Sequence, residues 1–313
     1  MKIILPGGSG MVGSLAAAHF AGQGYTAIIL SRSPESARQK FRQTGGENIQ
    51  VRGWDGATDQ GWSELIDGDT AIINLVGENL AGGRWSAAQK KRILESRVKA
   101  GQAMVQAVEQ AAQKPAALLQ ISGVGYYGPG EDELITEASP PGNDFPAEVC
   151  QAWEAASAPV EALGVRRVVM RTGVVLSTRG GALPRLLLPF KFMIGGPLGN
   201  GRQWLSWIHE LDQVALFKYF IENQNCQGVY NVASPNPATN RNFAKAIGQA
   251  LVRPSWIPAP AFVIRLLFGE MATVVLDGQR VIPERLIQEG FKFQYPEPAA
   301  ALRQLLGKAQ PQG

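Results

Sequence analysis

Histidine and cysteine are scarce in this chain of 313 residues. It has two histidines, His19 and His209, and two cysteines, Cys150 and Cys226. Two cysteines make no disulfide framework, and four such residues scattered along the chain make no metal-ligand pattern. The sequence therefore predicts neither a disulfide-stapled fold nor a His- or Cys-rich metal site, and we expect no bound metal.

Long apolar runs and a strong charge excess are also missing. No segment approaches the about 20 apolar residues of a membrane span, and Lys2 leads straight into a short apolar run without the pattern of a signal peptide. The formal net charge is only +4, and the tightest basic cluster, Lys90 to Arg92, is typical of a solvated helix face. We therefore expect a cytoplasmic protein with a small-molecule substrate and with neither nucleic acid nor membrane as a partner.

Short apolar runs alternate with longer helical patterns in the first half of the chain. Strands are predicted over 2–5, 26–30, 49–52, 70–76, 116–122 and 167–176, and helices over 11–21, 87–113 and 148–163. This alternation is typical of a parallel sheet that is covered on both faces. It predicts an α/β protein with a Rossmann doubly wound parallel sheet.

The pattern changes after about residue 177. Segment 179–206 is rich in glycine, proline and leucine, and helical patterns follow over 211–224, 240–251, 259–269 and 298–306. We predict a nucleotide-binding domain over 1–177 and a smaller mixed C-terminal domain over 178–313. Residues 205–235 could complete the sheet of the first domain, and the cleft is expected between the domains.

A glycine-rich segment separates the first predicted strand from the first predicted helix. It runs Gly7-Gly8-Ser9-Gly10-Met11-Val12-Gly13. Glycines permit a tight turn and a close approach of backbone N–H groups to a pyrophosphate, and the helix N-terminus adds partial positive charge. We predict cofactor contacts from Gly7, Gly8, Ser9, Gly10, Met11 and Val12, with a mere tight turn as the alternative.

The second predicted strand ends at Ser31 and Arg32, with Ser33 after them. Folds that prefer NAD usually place a carboxylate here, which bonds the ribose 2′-hydroxyl. Arg32 instead offers a planar cation that suits a 2′-phosphate, so the sequence favours NADP(H) over NAD(H). After the fourth strand, the backbone of Leu75, Val76 and Gly77 is predicted to line the cofactor.

These motifs resemble the atypical extended short-chain dehydrogenase/reductases, and more closely their "epimerase family" group, which is related to NAD-dependent epimerase/dehydratases. The matching motifs are Gly7 to Gly13, Ser31-Arg32-Ser33-Pro34, Trp54-Asp55, Asn74-Leu75-Val76-Gly77-Glu78, Arg84-Trp85, Ser96-Arg97, Ser122 to Gly128, Trp153-Glu154, Arg171 to Leu176, Gly195 to Gly201, Ser206-Trp207-Ile208-His209, Gly278-Gln279-Arg280 and Gly290-Phe291. One departure is Pro6, where relatives often carry Thr. The resemblance implies an NADP(H) site that also includes Arg97 and the backbone near Val175.

The Tyr-x-x-x-Lys pair that moves a proton in the wider superfamily is absent. The expected window, 143–154, contains neither residue type. Phe145 or Pro146 falls near the tyrosine position, and Val149 or Cys150 near the lysine position. Since a phenyl ring cannot transfer a proton, the standard mechanism is in doubt.

Two other polar residues follow the fifth predicted strand. The resemblance implies that Tyr127 lines the substrate pocket, and Ser122 keeps a hydroxyl at the strand end; we predict both as catalytic or pocket groups. A half-buried tyrosine with its hydroxyl satisfied is the alternative for Tyr127. Cys150 is expected to be a small buried apolar group rather than a nucleophile, and His209 a structural turn residue rather than a catalyst.

The loop before the last third of the chain combines glycines with cationic and aromatic residues. Arg202, Gln203 and Trp204 are predicted to contact an anionic or ring-shaped substrate, with a packed turn as the alternative. The first hypothesis is an NADP(H)-dependent oxidoreductase or epimerase acting on a small polar or nucleotide-sugar-like molecule. The alternatives are a non-catalytic NADPH-binding or sensing protein, and a reductase whose proton comes from Tyr127 or water.

Overall fold

A seven-stranded parallel sheet forms the centre of the computed structural model, which describes residues 1–42, 48–80 and 82–307. The strands of this sheet are β1 (Lys2–Pro6), β2 (Thr26–Ser31), β3 (Ile49–Gly53), β4 (Thr70–Asn74), β5 (Ala117–Gly123), β7 (Arg167–Thr172) and β11 (Gly228–Val232). Their order across the sheet is β11-β7-β5-β4-β1-β2-β3. The prediction of a Rossmann doubly wound parallel sheet is confirmed.

Six shorter strands pair outside the main sheet in the described ranges. They are β6 (Leu134–Ile135), β8 (Val174–Leu176), β9 (Trp204–Leu205), β10 (Trp207–His209), β12 (Ala238–Thr239) and β13 (Arg280–Val281). Strand β8 pairs with β10, β9 with β12, and β6 with β13. The last pair links the segment after β5 to the C-terminal part of the chain.

Helices cover both faces of the sheet. They are α1 (Met11–Gly22), α2 (Pro34–Arg42), α3 (Ala87–Gln110), α4 (Phe145–Ser157), α5 (Leu183–Lys191), α6 (Glu210–Glu222), α7 (Asn240–Leu251), α8 (Ala261–Phe268), α9 (Thr273–Leu276), α10 (Glu284–Gln288) and α11 (Pro298–Leu306). Because the central strands touch helices on either side, Ile3, Ile4 and Leu5 are all fully buried in β1. None of the helices in the described part of the chain has the length and apolar character needed to cross a bilayer.

The two faces of the sheet carry separate apolar cores. On one face, Ile3 and Leu5 pack with residues of α1 and α6. On the other, Ile4 packs with residues of α3 such as Met104. This alternation along β1 leaves its carboxyl end between two helical layers. The strand order reverses between β1 and β4, and a crevice at such a switch point is where α/β sheets bind ligands.

One predicted strand is divided in the structure. The sequence predicts a single strand over 167–176, but β7 ends at Thr172 and β8 begins at Val174. A Cβ atom on Gly173 would lie 2.8 Å from the carbonyl oxygen of Ser206, so another segment of backbone crosses there. The chain consequently leaves the main sheet at Gly173 and pairs with β10 instead.

Several predicted boundaries shift by a few residues. The strand predicted over 70–76 ends at Asn74, and the helix predicted over 87–113 ends at Gln110. The helix predicted over 148–163 begins earlier, at Phe145, and changes to a short 3₁₀ turn over Ala158–Glu161, where Pro159 interrupts the helical hydrogen bonds.

The C-terminal part of the chain contributes to both domains. Strand β11 completes the main sheet beside β7, so that sheet includes residues well beyond 177. A separate apolar core forms where α5, α7 and α11 pack, and it includes Leu187, Phe243 and Leu302. The smaller region therefore begins with β8 and is interrupted by the return of the chain to the sheet.

Candidate active site

Two glycines at the turn between β1 and α1, Gly7 and Gly13, have no room for a Cβ atom. Gly7 adopts a φ of 78°, a conformation that residues with a Cβ atom rarely take. A Cβ atom there would lie 3.0 Å from the carbonyl carbon of Leu75, and one on Gly13 would lie 2.5 Å from the Cα of Gly8. The β1–α1 turn is therefore held against both the start of its own helix and the end of β4.

The N-terminus of α1 is open to an anion. Its cap residue, Gly10, has no side chain to accept the first amide hydrogens, and no acidic residue lies in the first turn. The unpaired N–H groups and the helix dipole leave partial positive charge at this end. Such a turn fits the pyrophosphate of a dinucleotide.

A second glycine segment lies beside this turn. Strand β8 holds Val175 opposite Ile208, and the loop that follows β8 approaches α1. A Cβ atom on Gly181 would lie 3.2 Å from the sulfur of Met11 and 3.8 Å from the carbonyl oxygen of Val175. The predicted cofactor residues Met11 and Val175 are therefore neighbours in space, although 164 positions separate them in the chain.

The end of β2 presents an unneutralised cation. Ser31 is buried, and its hydroxyl accepts a hydrogen bond from the amide of Ser33 at 3.2 Å. Arg32 is exposed, and its side chain has no ion pair with any residue in the ranges 1–42, 48–80 and 82–307. The aliphatic part of Arg32 lies against the turn at Gly56. A Cβ atom added to Gly56 would lie 3.4 Å from the Cδ atom of Arg32. A carboxylate is missing at this position, so negative charge on a ligand would be favoured.

Sequence reasoning missed a lysine at the same edge. Lys40 lies on α2, and its ammonium group donates to the carbonyl oxygen of Ser9 at 2.8 Å and to the hydroxyl of Ser14 at 2.6 Å. Partial burial lowers its pKa. The helical spacing of the buried residues Ala37 and Phe41 was the available signal, since it turns the intervening Lys40 toward the β1–α1 turn.

The end of β4 is fixed by its own polar side chain. Asn74 is fully buried; its amide donates to Gln120 Oε1 at 2.9 Å, and its carbonyl accepts from the backbone of Val76 at 3.3 Å. These bonds hold Leu75 and Val76 beyond the strand end, beside Gly7. The three residues predicted to line a cofactor here, Leu75, Val76 and Gly77, thus lie at the crevice.

Arg97 is buried, and no carboxylate in the described part of the chain forms an ion pair with it. Only 6% of the residue is exposed, and its guanidinium group donates through one nitrogen to the carbonyl oxygens of Glu78 and Ile93. The guanidinium carbon lies 4.6 Å from the centre of the Trp153 ring. Burial lowers its pKa to about 10. The remaining N–H groups of Arg97 lie next to Gly77, since a Cβ atom added to Gly77 would lie 2.8 Å from Nη2 of Arg97. These groups can donate to a ligand oxygen.

The residues that replace the Tyr/Lys pair face the end of β5. A Cβ atom on Gly125 would lie 3.3 Å from Pro146, and one on Gly123 would lie 3.7 Å from the sulfur of Cys150. Pro146 and Cys150 are four residues apart on α4, the spacing of Tyr-x-x-x-Lys. The sequence left open whether Phe145 or Pro146 takes the tyrosine position, and Val149 or Cys150 the lysine position. In the structure, Pro146 and Cys150 are the residues that face the end of β5.

Ser122 and Tyr127 belong to one buried hydrogen-bonded network. Ser122 donates to Glu154 Oε1 at 2.7 Å, and Arg171 forms a two-pronged ion pair with the same carboxylate at 3.0 and 2.9 Å. Arg171 also donates to the Tyr127 hydroxyl at 3.1 Å, and that hydroxyl donates to Asn231 Oδ1 at 2.6 Å. The network joins β5, α4, β7 and β11, and sequence reasoning assigned no role to Glu154 or Arg171.

This network constrains what the predicted catalytic residues can do. Only 6% of Tyr127 is exposed, and burial raises its pKa to about 12. A hydroxyl already bonded to Arg171 and Asn231 and held in the neutral form is a poor proton donor near pH 7. For Tyr127, the geometry favours the alternative of a buried tyrosine whose hydroxyl is satisfied within the protein. The role of Ser122 as a catalytic or pocket group stays a prediction.

The predicted substrate residues form contacts within the chain. The amide of Gln203 donates to the carbonyl oxygens of Leu198 and Val275, and the indole of Trp204 donates to Asp132 at 2.8 Å. The Trp204 ring also packs under Arg280. Gln203 and Trp204 therefore tie loops together, whereas Arg202 is exposed, with no partner for its guanidinium group in the described part of the chain.

His209 has a structural setting. It is fully buried, it caps α6 by accepting the amide hydrogen of Leu211 at Nδ1, and its Nε2 donates to Gln304 at 2.9 Å. Asp212, in the first turn of α6, accepts the amides of Gln294 and Tyr295. Both side chains hold the C-terminal segment against α6, in line with the expectation that this turn is structural.

Comparison with known proteins places the chain in a family. The model of the NAD dependent epimerase/dehydratase family matches residues 3–233. The chain belongs to this family. A second model, a domain of unknown function, matches residues 259–305, near the end of the chain.

Several relatives match over nearly their whole length. The epimerase family protein YfhF of Bacillus subtilis is 37% identical over 309 residues, which is 98% of each chain. The protein SDR39U1 of Mus musculus is 36% identical over 98% of this chain and 100% of its own. The crystal structure of human epimerase family protein SDR39U1 with NADPH superposes with a TM-score of 0.86 at 34% identity, covering 98% of this chain and 99% of that one. These matches confirm the predicted epimerase-family resemblance.

Proposed function

We propose that the protein binds NADP(H), in preference to NAD(H), across the crevice at the carboxyl ends of β1, β2 and β4. Arg32 carries this proposal, because it stands where NAD-preferring folds place a carboxylate and it has no acidic partner among the described residues. The human relative whose crystal structure contains NADPH supports the same cofactor. The restricted geometry of Gly7 and Gly13 supports a bound pyrophosphate.

Particular residues would hold each part of the dinucleotide. The amides of the β1–α1 turn and the open N-terminus of α1 would bind the pyrophosphate. Ser31, Arg32 and the neighbouring ammonium of Lys40 would bind the 2′-phosphate, and Leu75, Val76 and Gly77 would line the ribose. When bound, the nicotinamide supplies or accepts a hydride. Arg97 would donate hydrogen bonds to oxygens of the ribose or of a substrate carbonyl.

The first candidate activity is oxidation, reduction or epimerisation of a small polar molecule, such as a nucleotide-linked sugar. The unused N–H groups of buried Arg97 favour it, because a desolvated cation next to the crevice stabilises negative charge on a substrate oxygen. Any proton would come from Ser122, Tyr127 or water, since Pro146 and Cys150 stand in place of the usual pair.

The second candidate is a non-catalytic NADPH-binding or sensing protein. The apolar Pro146 and the buried Cys150 favour it, together with the commitment of the Tyr127 hydroxyl to Asn231. Turnover separates the two candidates. Oxidation of NADPH by any member of a panel of carbonyl compounds, including nucleotide-linked 4-keto sugars, supports the enzyme, whereas tight binding without turnover supports the sensor.

Titration of the purified protein with NADPH and NADH, followed by tryptophan fluorescence, tests the cofactor. We expect Arg32→Ala to weaken NADPH binding about 10- to 100-fold, because a charge-assisted bond to the 2′-phosphate is lost, and to leave NADH binding within about twofold. Arg38→Ala is the matched control, since Arg38, on the helix that follows β2, is also exposed but pairs with Glu35. Failure of both nucleotides to bind would overturn the proposal.

A further inference from the structure

One face of the C-terminal region exposes many large apolar side chains. Val252, Trp256 and Phe262 are 85%, 75% and 72% exposed. The rest of this set are also exposed, and they are Leu188, Phe192, Met193, Ile194, Leu266, Leu267 and Phe268. Single exposed apolar residues are common on proteins, but a contiguous patch marks an interaction surface.

The exposed residues are brought together by backbone pairing. The amide of Ile257 donates to the carbonyl oxygen of Gly195, and that of Ala259 donates to Pro197. Phe192, Met193 and Ile194 lead directly into this pairing on one side, and Trp256 precedes it on the other. Helix α8 begins two residues after Ala259. We name the surface formed by Phe192 to Ile194, Trp256 and the exposed side of α8 the α8 face.

Helix α8 is apolar around most of its circumference. Its sequence is Ala-Phe-Val-Ile-Arg-Leu-Leu-Phe, yet Ile264 is the buried residue of the helix. A helix packed on a protein core normally turns its polar side outward, and α8 has a single polar side chain, Arg265. Its exposed residues therefore suit an apolar environment better than water.

The segments that build the α8 face contain no acidic residue up to Gly269, and the next residue, Glu270, is paired with Lys90. Residues 177–206 and 233–269 contain Arg179, Arg185, Lys191, Arg202, Arg241, Lys245, Arg253 and Arg265, but no aspartate or glutamate. Three of these are next to exposed apolar residues: Lys191 beside Phe192, Arg253 beside Val252, and Arg265 within α8. A second copy of the same face would bring like charges together, so self-association through it is disfavoured.

We propose that the α8 face docks on an anionic lipid bilayer. Apolar side chains including tryptophan and phenylalanine, flanked by arginine and lysine, are the combination that inserts at the headgroup boundary while cations meet lipid phosphates. The sequence predicts no membrane partner because it has no spanning segment, and docking of this kind needs none.

Flotation of the whole protein with lipid vesicles tests this docking. We expect binding to vesicles of phosphatidylcholine with 30–40% phosphatidylglycerol, about tenfold or more weaker binding to pure phosphatidylcholine, and weakening as salt rises. The triple variant Lys191→Gln, Arg253→Gln, Arg265→Gln should bind about a hundredfold more weakly, given about fivefold for each charge. Lys99→Gln, on the exposed side of α3, should bind like the wild type.

The contribution of the apolar side chains to vesicle binding is tested separately from that of the charges. Phe262→Ser with Leu266→Ser should abolish flotation without unfolding the chain, since both side chains are already exposed. Ile287→Ser is the control, because Ile287 is 50% exposed but lies away from the α8 face. Circular dichroism and NADPH titration of every variant keep a folding or cofactor defect apart from a docking defect.

Tryptophan fluorescence shows which part of the protein contacts the lipid. Lipids brominated near the headgroup should quench Trp256, and Trp256→Phe should remove that quenching while most of the binding remains. Absence of binding to anionic vesicles, binding that survives both sets of substitutions, or a concentration-dependent dimer that Phe262→Ser with Leu266→Ser dissociates would each overturn the proposal.

Discussion

Two turns at the carboxyl edge of the same sheet differ in what they contribute. The β1–α1 turn offers backbone: glycines without room for Cβ atoms and an open helix N-terminus. The region after β5 offers side chains, but those that face it from α4 are Pro146 and Cys150. The β1–α1 turn therefore has a geometry that suits a bound nucleotide, while the side chains at the Tyr-x-x-x-Lys spacing on α4 do not match that pair.

The polar groups that remain after β5 serve the protein itself. Ser122 and Tyr127 bond to Glu154 and Arg171, and that pair joins α4 to β7. Buried polar groups must be satisfied, and here the network satisfies them with one another. The comparison teaches that polar residues at the active edge of a Rossmann sheet can hold strands together rather than act on a substrate.

The largest effect is expected from breaking this network. Glu154→Ala leaves Arg171 buried and unpaired, and should lower the free energy of unfolding by about 3–5 kcal/mol, measured by urea denaturation. Glu161→Ala is the matched control, because Glu161 forms an ion pair with Arg167 at the surface and should cost about 1 kcal/mol or less. Equal effects of the two substitutions would mean that the buried network has no special structural role.

The next effect should fall mainly on cofactor binding. Gly7→Ala adds a Cβ atom 3.0 Å from the backbone of Leu75 at a φ of 78°, and should weaken NADPH binding by about 100-fold, or roughly 2.7 kcal/mol. Gly24→Ala introduces similar backbone strain at a φ of 85°, but nothing lies within 4 Å of its Cβ position. Both variants should lose about 1 kcal/mol of stability, and only Gly7→Ala should lose NADPH affinity in calorimetric titration.

A smaller effect is expected from Tyr127→Phe. The substitution removes the bonds to Asn231 and Arg171, and should lower the free energy of unfolding by about 1–3 kcal/mol while NADPH affinity stays the same. Any turnover that the wild type shows should persist, because the hydroxyl is neutral and engaged. Abolished turnover in a variant that folds and binds NADPH would instead identify Tyr127 as the proton donor.

Sequence reasoning succeeded where the determinant is local. The β1–α1 turn, the helix after it and the strand that ends at Ser31 each follow from residues that are neighbours in the chain. The break at Gly173 was missed because its cause, the crossing backbone of Ser206, lies 33 residues away. Local pattern therefore predicted the fold and the glycine turn after β1, and failed where distant segments meet.

The candidate site residues also divide into those placed by local pattern and those whose hydrogen bonds come from distant segments. The hydrogen bond from Tyr127 to Asn231 spans 104 residues, and no periodicity in the sequence foretells it. Gln203 was predicted to contact substrate, but its amide bonds to Val275, 72 residues further on. Residue type at a strand end indicates where a polar group stands, whereas only tertiary structure shows what it bonds to.

The last and smallest effect concerns Cys150, which occupies the lysine position. Burial raises the pKa of its thiol to about 11, so only about one thiol in a thousand is ionised at pH 8. We expect iodoacetamide to modify Cys150 in the native protein at least about 100-fold more slowly than in urea, with a rate that rises as pH increases from 7 to 9, measured by peptide mass spectrometry. The alternative is that the nearby cation of Arg97 stabilises a thiolate, in which case native Cys150 would react quickly at pH 7. Such reactivity would restore a nucleophile to the region after β5 and make catalysis there independent of a Tyr/Lys pair.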